Sequence, residues 1–166
     1  MVKEMESKFE KFLEEYPSRN KGKRSDVLSK KFFSCVIQEL IGDEGTVTQP
    51  PPLPLNLGPH GEVKFRFDVV VEVNKNITLI EIKKNIDLID KDLFKFMLSY
   101  YNKLSYKNVP CRRVELIWED RNEIGNGHYK KLLDYAKSQK WIHEWFYIHH
   151  RDFQNPMMRL KAFLLS

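Results

Sequence analysis

An acid at Asp68, twelve intervening residues, and then Glu81-Ile82-Lys83 form the set of side chains in this sequence best suited to chemistry. Two carboxylates a few ångströms apart repel, and each raises the other's proton affinity. Fold stability does not ask for that arrangement. A hard divalent cation such as Mg²⁺ or Mn²⁺ does, because it prefers oxygen ligands and keeps waters for chemistry. A lysine beside the acids adds fixed positive charge for a developing phosphorane-like anion, or holds the attacking water. Asp, Glu and Lys together at a metal suit hydrolysis of a phosphodiester.

These three residues meet only if the chain positions them. Residues 62–73 and 77–84 read as strands rich in β-branched and aromatic residues, separated by Asn74-Lys75-Asn76, which reads as a hairpin turn. Side chains alternate along a strand. Val63, Phe65, Phe67, Val69 and Val71 therefore share one face, and Glu62, Lys64, Arg66, Asp68 and Val70 the other. Hairpin registers in which paired residue numbers sum to 149 or 151 set Asp68 opposite Glu81 or Lys83. Either one gathers Asp68, Glu81 and Lys83 on one face near Arg66, and it also makes the apolar faces coincide.

The E-x-K tripeptide occurs three times, as Glu6-Ser7-Lys8, Glu62-Val63-Lys64 and Glu81-Ile82-Lys83. Only the third closes an apolar strand opposite a strand that carries an Asp. A hairpin with one solvated face would carry the same charges as surface ion pairs. Val69-Val70-Val71 and Leu79-Ile80 oppose that reading, since they are apolar on both faces, as central strands are. Charge within such strands is costly unless it is used.

Around the hairpin the spacing predicts helices over 1–16, 25–41, 87–106, 128–139 and 157–165, and strands over 45–49, 113–118 and 145–149. Pro50 to Pro54 predicts a stiff, extended surface loop. In the helix over 87–106, Ile89, Leu93, Phe96, Met97, Tyr100 and Leu104 mark the apolar face. The order implies an α/β fold, with a mixed β-sheet flanked by helices on both faces. A single domain over 1–166 is expected. It would comprise an N-terminal helix and connector (1–20), a core over about 25–150 and a C-terminal extension (151–166).

Asp68 with Glu81-Ile82-Lys83, in this hairpin context, resembles the PD-(D/E)xK nuclease superfamily. The general build is similar to restriction endonucleases and archaeal-type Holliday junction resolvases over about residues 25–118. The motif proline is absent, since Phe67 precedes Asp68. The resemblance implies a restriction-endonuclease-like fold and a metal-dependent DNA endonuclease. It implies Mg²⁺ (or Mn²⁺) held by Asp68, Glu81 and the backbone carbonyl of Ile82, with Lys83 acting on the water or the scissile phosphate. The family often adds an acid from the first core helix. Asp26 and Glu39 both qualify, and Glu39 is preferred because it follows Phe32, Cys35 and Val36 at helical spacing.

Composition agrees with a polyanionic partner without requiring one. The 166 residues carry 28 Lys and Arg against 23 Asp and Glu, a net charge of +5. The densest basic cluster is Lys21, Lys23, Arg24, Lys30 and Lys31. No apolar run is long enough to span a bilayer, the N-terminus lacks a signal core, and two cysteines build no disulfide framework, so a cytoplasmic protein with no membrane partner is expected. There is no Gly-rich phosphate loop, no G-x-S-x-G and no paired CxxC. His149-His150-Arg151-Asp152 reads as a polar turn at a strand end, and Trp141, Trp145, Phe146 and Tyr147 as packing residues, ahead of metal binding or base stacking. A homodimer is expected, because two identical sites related by a two-fold axis match the two strands of a duplex. DNA is the expected partner, with other nucleic acid as a variant. The competing function is a nuclease-fold subunit that binds nucleic acid or assembles without catalysis.

Overall fold

The computed structural model describes residues 1–15, 23–119 and 127–166, and for 23–26 the backbone only. Helices α1 (Val2–Glu15) and α2 (Lys23–Ile41) lead into strand β1 (Gly45–Thr48). Strands β2 (Leu53–Asn56) and β3 (Glu62–Phe65) form a small antiparallel ribbon. Strands β4 (Val69–Val73) and β5 (Asn76–Lys84) follow, then α3 (Asp90–Tyr101), the short β6 (Ser105–Tyr106) and β7 (Val109–Trp118). The chain ends with α4 (Gly127–Ser138), β8 (Glu144–Ile148) and α5 (Gln154–Leu165).

The main sheet runs β1-β4-β5-β7, with β8 and β6 both on β7. It is antiparallel on the β1-β4-β5 side and parallel across β5-β7-β8, so it is a mixed sheet. Helices α1, α2 and α5 cover one face, where Phe9, Phe33 and Met157 pack on Val71, Ile80, Leu116 and Trp118. Helices α3 and α4 cover the other, where Phe96 and Leu133 share a cluster with Val70, Leu79 and Ile117. The expected α/β architecture with helices on both faces is thus present. Residues 154–165 form part of it, with Met157, Leu160 and Leu164 buried. Among the described residues no helix is long and apolar enough to cross a membrane.

Several local expectations change. The strand expected over 62–73 is two strands: β3 pairs with β2 outside the main sheet, and the backbone breaks before β4. This break reverses the face of Phe67. It joins the α3 side, 6.0 Å from the Phe96 ring, while Val69 and Val71 face α2. The proline-rich segment is extended, but it is not simply a surface loop. Leu53 and Leu55 alternate inward and are buried. Pro110 lies within β7, before β5 begins to pair with that strand at Cys111. Its missing N–H is tolerated at that margin. The connector after α1 lies outside the described residues.

Candidate active site

The hairpin register brings Asp68 and Glu81 together. Val69 pairs with Ile80 and Val73 with Asn76, so the paired numbers sum to 149 and Asp68 falls directly opposite Glu81. A two-residue turn, Asn74-Lys75, sets this register, with Asn74 at φ 56. Asp68 lies just before β4, and two reciprocal hydrogen bonds hold it there. Its N–H donates to Glu81 Oε1 at 3.1 Å, and its Oδ2 accepts from the Ile82 N–H at 2.8 Å. The N–H and C=O of a strand residue point the same way, so the Ile82 carbonyl faces this side too.

Glu81 sits near the carboxyl end of β5, where α2 and α3 converge from opposite faces. Lys30 of α2 reaches Asp68 Oδ1 at 2.7 Å. Lys95 of α3 donates to Glu81 Oε2 at 3.0 Å and to the Arg66 carbonyl at 2.9 Å. Gln38 anchors α2 to β1, donating to the Gly42 and Gly45 carbonyls and accepting from the Val47 N–H. A cleft of about 450 Å³ between α2 and the end of β1 opens onto Asp68, with Lys30, Lys31, Thr48 and Gln49 among its lining.

Two further acids, not singled out in the sequence, complete the cluster. Glu115 on β7 is the register partner of Glu81 on the parallel β5 and is fully buried. Asp92 of α3 is 3% exposed and lies 3.5 Å from Lys83 Nζ. Asp92 Oδ2 and both Glu115 oxygens meet no hydrogen-bond donor. The cluster thus holds four acids against Lys30, Lys83 and Lys95. Burial is the main cause of the raised proton affinity of Glu81, Asp68 and Glu115. It pushes Glu81 up to about 8, with the Asp68 charge adding to the rise and Lys95 opposing it. Burial also raises Asp68, against the bonds from Lys30 and Ile82. Burial, then Asp92, holds Glu115 well above the usual carboxylate range.

Glu39 is not part of this cluster. Its carboxylate is exposed and pairs with Lys8 of α1 at 2.7 Å. The helix explains why: Lys30 is the α2 residue that touches Asp68, and Glu39 is nine residues further on, about 13 Å along the axis. The side chain of Asp26, and those of Lys21, Lys23 and Arg24, lie outside the described residues. Signals for the missed acids were present. Asp92 is three residues after Ile89 and four before Phe96, on the helix face that the apolar residues mark. Glu115 interrupts a strand that is otherwise apolar from Val114 to Trp118. Of the other motifs, His149 and Asp152 pair their backbones in a tight turn after β8, and Trp141, Trp145 and Tyr147 pack against the α3–α4 core while Phe146 packs on the opposite face.

Among the described residues no three His, Cys, Asp or Glu side chains form a ready set of metal ligands. Each oxygen of Asp68 and Glu81 already accepts a bond, from Lys30, Ile82, Asp68 and Lys95. Two of those donors are ammonium groups on half-buried, flexible lysines, standing where positive charge is needed. The groups are hard oxygens in excess of nearby cations, the donor chemistry that Mg²⁺ or Mn²⁺ prefers, with Lys30 and Lys95 occupying it in this structure.

No protein-family model matches the chain, and no curated protein does. The chain is similar in fold to a solved structure, protein VC1899 from Vibrio cholerae, with a TM-score of 0.54 at 11% identity. The match covers 81% of this chain and 33% of that one, so this chain spans about a third of that protein's length.

Proposed function

We propose that this chain is a metal-dependent endonuclease that hydrolyses phosphodiester bonds in DNA, built on a restriction-endonuclease-like fold. One observation carries the reading: Asp68 is held opposite Glu81 by its N–H donating to the Glu81 carboxylate and its own carboxylate accepting from the Ile82 N–H, inside a sheet that is apolar around them. Packing gains nothing from two buried acids with raised proton affinity, whereas phosphoryl chemistry does. Asp68, Glu81 and the Ile82 carbonyl would hold Mg²⁺ or Mn²⁺. The cation would supply Lewis acidity to a phosphoryl oxygen and offset the charge that develops there. Lys83, one residue past Ile82, adds positive charge or orients water. Lys30 and Lys31 line the cleft beside Asp68 and suit a phosphate backbone.

A second reading has its own support. Lys30 and Lys95 already neutralise the two acids, as they would in a nuclease-fold subunit that binds nucleic acid or assembles without cutting. A panel of labelled duplex, branched and single-stranded DNA and RNA, with Mg²⁺, Mn²⁺ or EDTA, separates the two. Metal-dependent cleavage lost in Glu81→Gln supports the endonuclease. Binding without cleavage, and no calorimetric Mg²⁺ or Mn²⁺ signal, supports the inactive subunit. A homodimer suits double-strand cleavage. A reducing, cytoplasmic setting suits Cys35 and Cys111, which are both free thiols.

A further inference from the structure

Lys83, which the proposed chemistry needs beside Asp68 and Glu81, is paired elsewhere, 3.5 Å from Asp92 Oδ1. Asp92 is buried under α3, and its second oxygen meets no donor. Glu115 lies against it, fully buried, with both oxygens likewise unpartnered. Two acids stacked in a core cost free energy that Leu and Val would not. Val114, Leu116 and Ile117 show what packing alone selects on this strand. The pair is oriented, because Glu115 stands beside Glu81 in register and Asp92 bridges from it to Lys83.

We infer that Asp92, seated on Glu115, is a positioning residue for Lys83, fixing its ammonium at the edge of the Asp68–Glu81 pair without itself touching substrate. The inference rests on the endonuclease reading only for its consequence in catalysis; the tether itself can be measured without cleavage. Glu115 lies beneath Asp92, fully buried, and limits where its carboxylate can sit. An amide at position 115 keeps that shape and polarity, and an alkyl group does not.

The test is the rate at which Lys83 is acylated in the full-length protein, read by peptide mass spectrometry at fixed pH in EDTA, with Lys75 as an exposed reference. Asp92→Asn should raise the Lys83 rate about tenfold, Asp92→Glu should restore it to within about threefold, and Glu115→Gln should leave it nearly unchanged while Glu115→Leu raises it. In cleavage assays Asp92→Asn should lower kcat about 100-fold with KM within about twofold, as for a group acting only in the transition state. If Asp92→Asn does not fold, Asp92→Ser combined with Glu115→Leu removes both buried acids together and reads the same rate. An unchanged Lys83 rate in a folded Asp92 variant overturns the inference, whether or not the protein cuts DNA. A raised rate in a protein that cuts no nucleic acid upholds the tether and overturns the endonuclease reading instead.

Discussion

Replacing Glu81 by Gln should remove the pH dependence of stability that this carboxyl supplies, so that the stability curves of the two proteins cross. Burial and the Asp68 charge raise the Glu81 carboxyl from an ordinary 4.5 to about 8 in the folded protein. Between those values the folded chain binds a proton that the unfolded chain has released. The contribution to stability is therefore full below pH 4.5 and is lost as pH rises through about 8. Each pH unit in that window costs up to about 1.4 kcal/mol, so the whole span reaches at most about 5 kcal/mol. Glu81→Gln keeps an oxygen to accept from the Asp68 N–H and forfeits the charged bond from Lys95, worth about 1.5–3 kcal/mol. The variant should be the less stable protein at pH 5 and the more stable one at pH 8, by about 2 kcal/mol. Urea unfolding in EDTA at pH 5, 6, 7 and 8, followed by the fluorescence of the buried Trp118, measures this directly. Adding Mg²⁺ at about 100 times its Kd should stabilise the wild type by about 2.7 kcal/mol at pH 8 and leave the variant unmoved. Parallel stability curves for the two proteins across this range would refute the account of Glu81, and equal Mg²⁺ stabilisation would refute its role as a ligand.

Asp68→Asn and Lys83→Ala should each reduce metal-dependent cleavage by at least about 100-fold in single-turnover assays, while Glu6→Gln and Glu62→Gln, in the other two E-x-K tripeptides, cut normally. Asp68→Asn should bind DNA in EDTA as well as the wild type or better in fluorescence anisotropy, since it removes negative charge next to phosphate. Phe67→Ala, at a fully buried ring packed on Phe96 and beneath Lys95, should cost about 3–5 kcal/mol in urea unfolding. Light scattering at micromolar concentration should find a species of twice 19.9 kDa; a 19.9 kDa particle with and without DNA would remove the homodimer.

Much of this architecture was legible in the residues. The alternation through Val69–Val73 and 77–84, with turn residues around Asn74 and Lys75, specified a hairpin whose register sums to 149 or 151, because a one-residue slip would turn every buried Val and Ile outward. The choice of 149, which puts Asp68 opposite Glu81, came with the two-residue turn that the structure shows. What periodicity could not show was the break before Asp68. There the chain leaves one sheet for another and sends Phe67 to the opposite face, a choice made by the pairing of β3 with β2. Nor could local spacing assign the other charges of the site. Lys30, Lys95, Asp92 and Glu115 come from two helices and a strand far apart in the chain. Glu39, a plausible helix acid by its spacing, is carried by the axial rise of α2 to a partner on α1 instead. Strand alternation is short-range physics and can be read residue by residue. Which helix turn lies over which strand depends on packing both faces of one sheet at once, and only the tertiary structure resolves that.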